Sequence, residues 1–342
     1  MPALPVRLIA IAALVAIACG RDASAQPSTW QLPATPANGG ALATQSTDGN
    51  ALVARMLAGM ERNVSLTAKV RQRIWLGDRE TQGEGQYWHQ SVDNQRRSRW
   101  QLRTLAGGET VSLVQVFDRR YVWTERRMGE NRKVSRIDID TLRREMLTRA
   151  ETAGEAALGV SPQQATLLAR GGISQLLADL QRRFDFGPPR PALVGERDNQ
   201  RETLAVVGVW KPAELTRLWQ GAPYDPAAPP AWPLDQWPEQ LPHHVVIHCG
   251  RKNMFPYLIE YRSAGDAAAA TAVNAVASVA RPLARYEFFE ERFAAVMDPQ
   301  LFQYDPGEVD WVDETGKVLA SLLPLEVQEP EEETALRRRV VR

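Results

Sequence analysis

Residues 66–76 read LTAKVRQRIWL, and their alternation decides the class of fold. Leu66, Ala68, Val70, Ile74 and Leu76 fall on one face with Gln72, while Thr67, Lys69, Arg71, Arg73 and Trp75 fall on the other. A period of two with one apolar and one charged face describes a half-buried strand of an antiparallel sheet. After a turn at Gly77-Asp78, the next strand carries residues 81–90, TQGEGQYWHQ. Glycine weakens a strand interior, so Gly83 and Gly85 beside Tyr87 and Trp88 mark a sharp bend or a close backbone approach.

The same pattern continues outward. Ser98, Trp100 and Leu102 alternate with Arg97, Arg99, Gln101 and Arg103, and further strands follow over 110–117, 120–125 and 132–139. Their connections, at Asp93-Asn94, Gly107-Gly108, Asp118-Arg119 and Gly129–Asn131, are too short for parallel crossovers. Ahead of the strands, Leu52, Val53, Met56, Leu57 and Met60 form an apolar helical stripe over 50–62, with Asp48 or Asn50 as the N-cap. Residues 141–184 return to helical spacing. Ser161-Pro162 reads as a helix start, and Ile173, Leu176, Leu177, Leu180 and Phe184 share a face. A second strand set occupies 203–210, 243–249, 255–262, 284–293 and 308–315. A proline-rich insert at 221–242 and an alanine-rich one at 264–281 interrupt it. The charged tail 329–342 has a composition that favours disorder.

The N-terminus reads as an export signal. Arg7 precedes an apolar run from Leu8 to Ala18, and Ala23-Ser24-Ala25 is a small-x-small cleavage pattern before Gln26. That run is too short to cross a bilayer, which takes about 20 residues. Ala16-Ile17-Ala18-Cys19-Gly20 also resembles a bacterial lipobox. Two expectations therefore stand: a signal peptide over 1–25, or one over 1–18 with Cys19 lipidated. Residues 26–47 are Pro-, Ala-, Thr- and Ser-rich and read as a linker, leaving one folded unit over 48–328. With Cys19 cleaved away or acylated, Cys249 stands alone and no disulfide framework exists. The chain carries 41 basic and 41 acidic residues, so no global field recruits nucleic acid. From Arg62 to Arg144, eighteen Lys/Arg face ten Asp/Glu, which reads as a solvated arginine-rich sheet face.

Candidate chemistry is sparse. His243, His244, His248 and Cys249 cluster, but in a strand His244 and His248 face away from His243 and Cys249, so no metal site is expected. The sequence has no nucleophile elbow, Walker loop or dinucleotide fingerprint, and Gly83-Glu84-Gly85 lacks the helix that would aim amides at a phosphate. The reading is non-enzymatic and cofactor-free.

Taken in order, the initial helix, SLTAKVRQRIW, TQGEGQYWHQ, RRSRWQL and SLVQVFDRRYVWTE resemble the LolA family of periplasmic lipoprotein carriers. LPHHVVIHCGRKNMFPYLIEYR and ARYEFFEERFAAVMDPQLFQYDPGEVDWVDET are similar to that family's closing strands. The resemblance spans about residues 50–140 and 200–316, on short, degenerate motifs. It implies an α+β fold, an unclosed antiparallel half-barrel covered by helices, with an apolar cavity for the acyl chains of a lipid or lipoprotein. The walls are expected from Val70, Ile74, Trp100, Leu102, Val114 and Trp123, with Met56 and Met60 on the cover. The alternative is an envelope sensor or scaffold of the same fold that binds a protein partner. Location in the periplasm or cell envelope follows, with membrane contact only through an anchor on Cys19. The length of the chain, through 141–184 and the proline-rich insert, departs from a plain carrier. No residue matches the carriers' cavity arginine, Arg97 and Arg99 being nearest.

Overall fold

The computed structural model describes residues 48–77, 79–92, 95–195, 200–220, 237–264 and 281–323. The export signal with Cys19, the linker, the turns at Asp78 and Asp93-Asn94, most of both inserts and the tail lie outside them.

Helix α1 (Gly49–Arg62) starts where Asp48 accepts the Asn50 amide, and it buries Leu52, Val53, Met56, Leu57 and Met60. Six strands follow: β1 (Ser65–Leu76), β2 (Arg79–Val92), β3 (Gln95–Ala106), β4 (Glu109–Phe117), β5 (Tyr121–Met128) and β6 (Asn131–Asp138). Next come three helices, α2 (Ile139–Ala153), α3 (Pro162–Ala169) and α4 (Gly172–Arg183), with a 3-10 turn at Glu155–Leu158. The remaining strands are β7 (Phe184–Phe186), β8 (Arg190–Val194), β9 (Arg201–Trp210), β10 (His244–Gly250), β11 (Pro256–Arg262), β12 (Pro282–Phe293) and β13 (Trp311–Asp313). Helix α5 (Pro212–Gln220) follows β9, and α6 (Thr315–Leu322) follows β13.

The thirteen strands among the described residues join one sheet in the order β13-β6-β5-β4-β3-β2-β1-β12-β11-β10-β9-β7, with β8 also on β9. The first strand set meets the second where β1 pairs with β12, from Leu66 opposite Phe293 to Ile74 opposite Ala284. The ends of the order do not pair with each other among the described residues, so the barrel is unclosed. Register carries one face through the sheet: Val70, Gly85, Leu102 and Leu113 stand in line, as do Ala68, Tyr87, Trp100 and Gln115. The helices lie on this inner face, and their apolar stripes merge with it in one core cluster. Each fully buried side chain such as Leu177 or Met56 contributes about 1.5–3 kcal/mol there.

The sheet curls around that face. β3 and β12 are three strands apart, about 14 Å along a flat sheet. Yet the Trp100 ring on β3 lies 6.0 Å from Phe288 on β12, edge to face. At Gly83 and Gly85 the neighbouring strand β3 comes unusually close. A Cβ on Gly85 would sit 1.9 Å from the Gln101 carbonyl oxygen, and one on Gly83 2.2 Å from Thr104 Oγ1. Of the two roles that strand glycines suggest, close backbone approach is the one found.

The helical stretch 141–184 has a helix start at Ser161-Pro162 and is broken at Gly154, Gly159 and Gly171, all with positive φ, so it turns back on the inner face. Two features differ from the expectations above. The strand expected over 308–315 shrinks to β13, which pairs parallel with β6. The chain after β12 recrosses the outer face and arrives at β6 running the same way. The two short edge strands, β7 and β8, and the helices α5 and α6 carry too few periodic residues to stand out in the sequence.

Candidate functional site

The inner face and its helical cover form the candidate site. Helix α1 supplies Met56 and Met60, both almost fully buried, because its stripe recurs every three to four residues. β1 and β3 supply Val70, Ile74, Trp100 and Leu102, all buried within the same cluster. A row of rings crosses the concavity, with Tyr87 5.8 Å from Trp100, Trp100 6.0 Å from Phe288, and Phe288 6.1 Å from Phe255.

Val114 and Trp123 do not belong to this wall. Gln101 stands opposite Val114 and Val116 opposite Trp123, which puts both on the outer face. Apolar residues occupy both faces of β4, so alternation by itself does not choose between them. Trp123 is buried under the returning chain: its ring lies 5.6 Å from Tyr304 and 5.6 Å from Trp311. Tyr304 donates to Glu125 at 2.7 Å, and Arg132 donates to the same carboxylate at 3.0 Å. Burial opposes ionisation of Glu125, but the Tyr304 and Arg132 hydrogen bonds outweigh it and hold the carboxyl below its usual range. Arg99 donates to the Leu301 carbonyl at 3.0 Å. The C-terminal strap is therefore tied to the outer face by side chains that look like surface charge in the sequence. Arg97 and Arg99 also point outward, on the face opposite Trp100.

The helical stretch 141–184 fills the concavity. A Cβ on Gly172 would approach the Tyr87 ring to 2.8 Å, so α4 enters the sheet at a glycine. The Gly172 amide donates to Gln115 Oε1 at 3.1 Å. Glu61 at the end of α1 receives Arg96 from β3 and, at 3.5 Å, Arg170 from the end of α3. This carboxylate latches the cover to the sheet. His89 lies beneath it with its pKa lowered, first by burial. Burial, then the nearby Glu61 charge, raises that of Tyr87.

Polar satisfaction at this interface is incomplete. Trp100 Nε1, Ser174 Oγ and His89 Nε2 are buried without a hydrogen-bond partner among the described residues. Such orphans are few in folded proteins, and each costs about 1–3 kcal/mol. Two shallow hollows of about 240 and 170 Å³ lie instead on the outer face. Lys69, Trp88 and Arg103 line the first, and Val114, Glu125 and Arg127 the second. The cover thus closes tightly over the apolar wall without meeting all of its polar groups.

The histidine cluster has the split geometry expected of it. His244 and His248 stand opposite Val209 and Ala205 on the outer face, while Cys249 is buried in the core. Burial pushes the Cys249 thiol up to about 11, away from reactivity. Among the described residues, no three His, Cys, Asp or Glu side chains come together to hold a metal.

No protein-family model matches the chain, and no curated protein matches it in sequence. Several solved structures are similar over most of this chain, at low identity and low TM-score. MucB is 16% identical over 75% of this chain, with a TM-score of 0.32, and the chain spans 63% of the length of MucB. A putative outer membrane lipoprotein-sorting protein domain from Vibrio parahaemolyticus is 7% identical, with a TM-score of 0.26, covering 73% of this chain and 94% of that one. A LolA superfamily protein from Nitrosomonas europaea is 10% identical, with a TM-score of 0.23, covering 73% and 97%.

Proposed function

We propose that this chain is an exported, non-enzymatic binding protein whose apolar inner face takes an acyl chain of a lipid or lipoprotein when the helical cover is displaced. The observation that carries this reading is the interface itself. It is apolar and methionine-lined, yet Trp100 Nε1 and Ser174 Oγ are left without partners. A permanently closed core gains nothing from such orphans, whereas a cover that exchanges with a ligand tolerates them. Burying each methylene contributes about 0.8 kcal/mol, so a long chain can offset the helix packing it displaces. Methionine thioethers at Met56 and Met60 adapt to chains of varied shape.

A fluorescent fatty acid titrated into the purified chain tests this. Trp100→Asp should abolish binding, while Val114→Asp, on the outer face, should leave it unchanged. Absence of saturable binding in the wild type, or equal binding by both variants, rejects the reading. The alternative, a sensor or scaffold for a protein partner, is favoured by the same closed interior and leads in that event.

A further inference from the structure

One end of the sheet carries exposed apolar side chains beside cations without ion pairs. β1 begins where β2 and β12 end, so Val64, Val92 and Phe293 come together at three adjacent strand ends. The Ser91 amide donates to the Val64 carbonyl at 2.6 Å, and Ala294 to Ser65 at 3.0 Å. Val64 is 66% exposed, and Val296, just beyond β12, is fully exposed. The turn between β10 and β11 reaches the same end, with Phe255 6.0 Å from Phe293.

The charge at this end is one-sided. Arg62, Lys252 and Arg292 are exposed and make no ion pair among the described residues. The nearby acids are committed: Glu61 to Arg96 and Arg170, Glu290 to Lys69, and Glu291 to Arg201. Asp298 caps the following 3-10 turn.

From this rim we propose a docking surface for an anionic lipid bilayer, independent of what the inner face binds. The apolar groups stand on strand ends and a loop, as projecting tips and not as a groove that would receive a partner's side chain. Valine and phenylalanine tips enter the headgroup boundary while the cations remain at phosphate level. Docking in this pose sets the end of α1, and with it the edge of the covered inner face, against the membrane.

Vesicle co-sedimentation of the full chain carrying Cys19→Ser, so that no acyl anchor contributes, tests the surface. Vesicles of phosphatidylglycerol with phosphatidylethanolamine should bind the protein in a salt-sensitive manner, and phosphatidylcholine vesicles should not. Val64→Asp with Val296→Asp should weaken binding at least tenfold, and Arg62→Gln with Arg292→Gln about twenty-fivefold, near fivefold per cation. All four side chains are exposed, so circular dichroism should stay native. Equal binding to both vesicle types, or binding insensitive to the rim variants, overturns the proposal. So does a lack of binding to either vesicle type, and a photo-crosslink from position 296 to a protein would then make the rim a protein interface.

Discussion

Gly172 donates its backbone amide to Gln115 Oε1 at 3.1 Å, across the joint where the helical cover meets the sheet. Gln115 is the polar member of a line otherwise formed by Ala68, Tyr87 and Trp100, so its amide side chain reaches the helix start from within an apolar wall. α4 has no side-chain N-cap, and this contact from the sheet takes that place.

Gln115→Ala should leave the Gly172 amide buried and unpaired, at a cost of about 1–3 kcal/mol. Urea unfolding would measure that loss. Hydrogen exchange should speed up selectively in α4, because the helix loses its tie to the sheet. Uniform acceleration across the sheet would mean that the cover does not open as a separate element.

Gly85→Ala should be more damaging than a strand alanine ordinarily is. The added methyl would sit 1.9 Å from the Gln101 carbonyl oxygen, which is backbone and cannot rotate away. Moving β3 aside costs about 1–3 kcal/mol, the usual range for overpacking. Gly77→Ala is a useful contrast, since its Cβ meets nothing within 4 Å and only its φ of +61° opposes the change. A smaller drop in melting temperature for Gly85→Ala than for Gly77→Ala would contradict this account.

Stability should fall as pH drops from neutrality towards 4. Burial lowers the pKa of His89 and His243, and holds His244 and His248 at about 4. Each is near 6.5 in the unfolded chain. Between those values the unfolded state binds more protons than the folded state, so stability rises with pH up to the unfolded pKa and is lost on acidification. Arg262 and Arg285 face His248 and deepen the effect, and Arg262 with His243 faces His244. His244→Gln with His248→Gln should flatten the melting-temperature profile between pH 6.5 and 4. An unchanged slope would place the titrating groups elsewhere.

Trp123→Ala should destabilise the fold by about 3 kcal/mol without altering acyl binding. Its ring is covered by Tyr304 and Trp311 of the strap, and its face is opposite to that of Trp100. Chemical unfolding and the fatty-acid titration together separate the two effects. A change in affinity at native stability would bring Trp123 back to the binding wall.

Much of the architecture was legible in local pattern. The alternation of Leu66, Ala68, Val70 and Ile74 opposite Lys69, Arg71 and Arg73 determined an antiparallel strand with a single buried face, because side chains repeat every two residues in a strand. The stripe of Leu52, Met56 and Met60 likewise determined a helix with one face for the core. Tertiary structure decided what no local period contains. Val114 and Trp123 lie outside because cross-strand pairing with Gln101 and Val116, not the residue's own apolar character, chooses the face when both are apolar. α4 fills the concavity because glycines at its start let it approach Tyr87 and Gln115, a fit that depends on how far the sheet has curled. The parallel seat of β13 depends on the strap crossing five strands, β1 to β5, before it meets β6, and sequence spacing records the length of that path but not its direction.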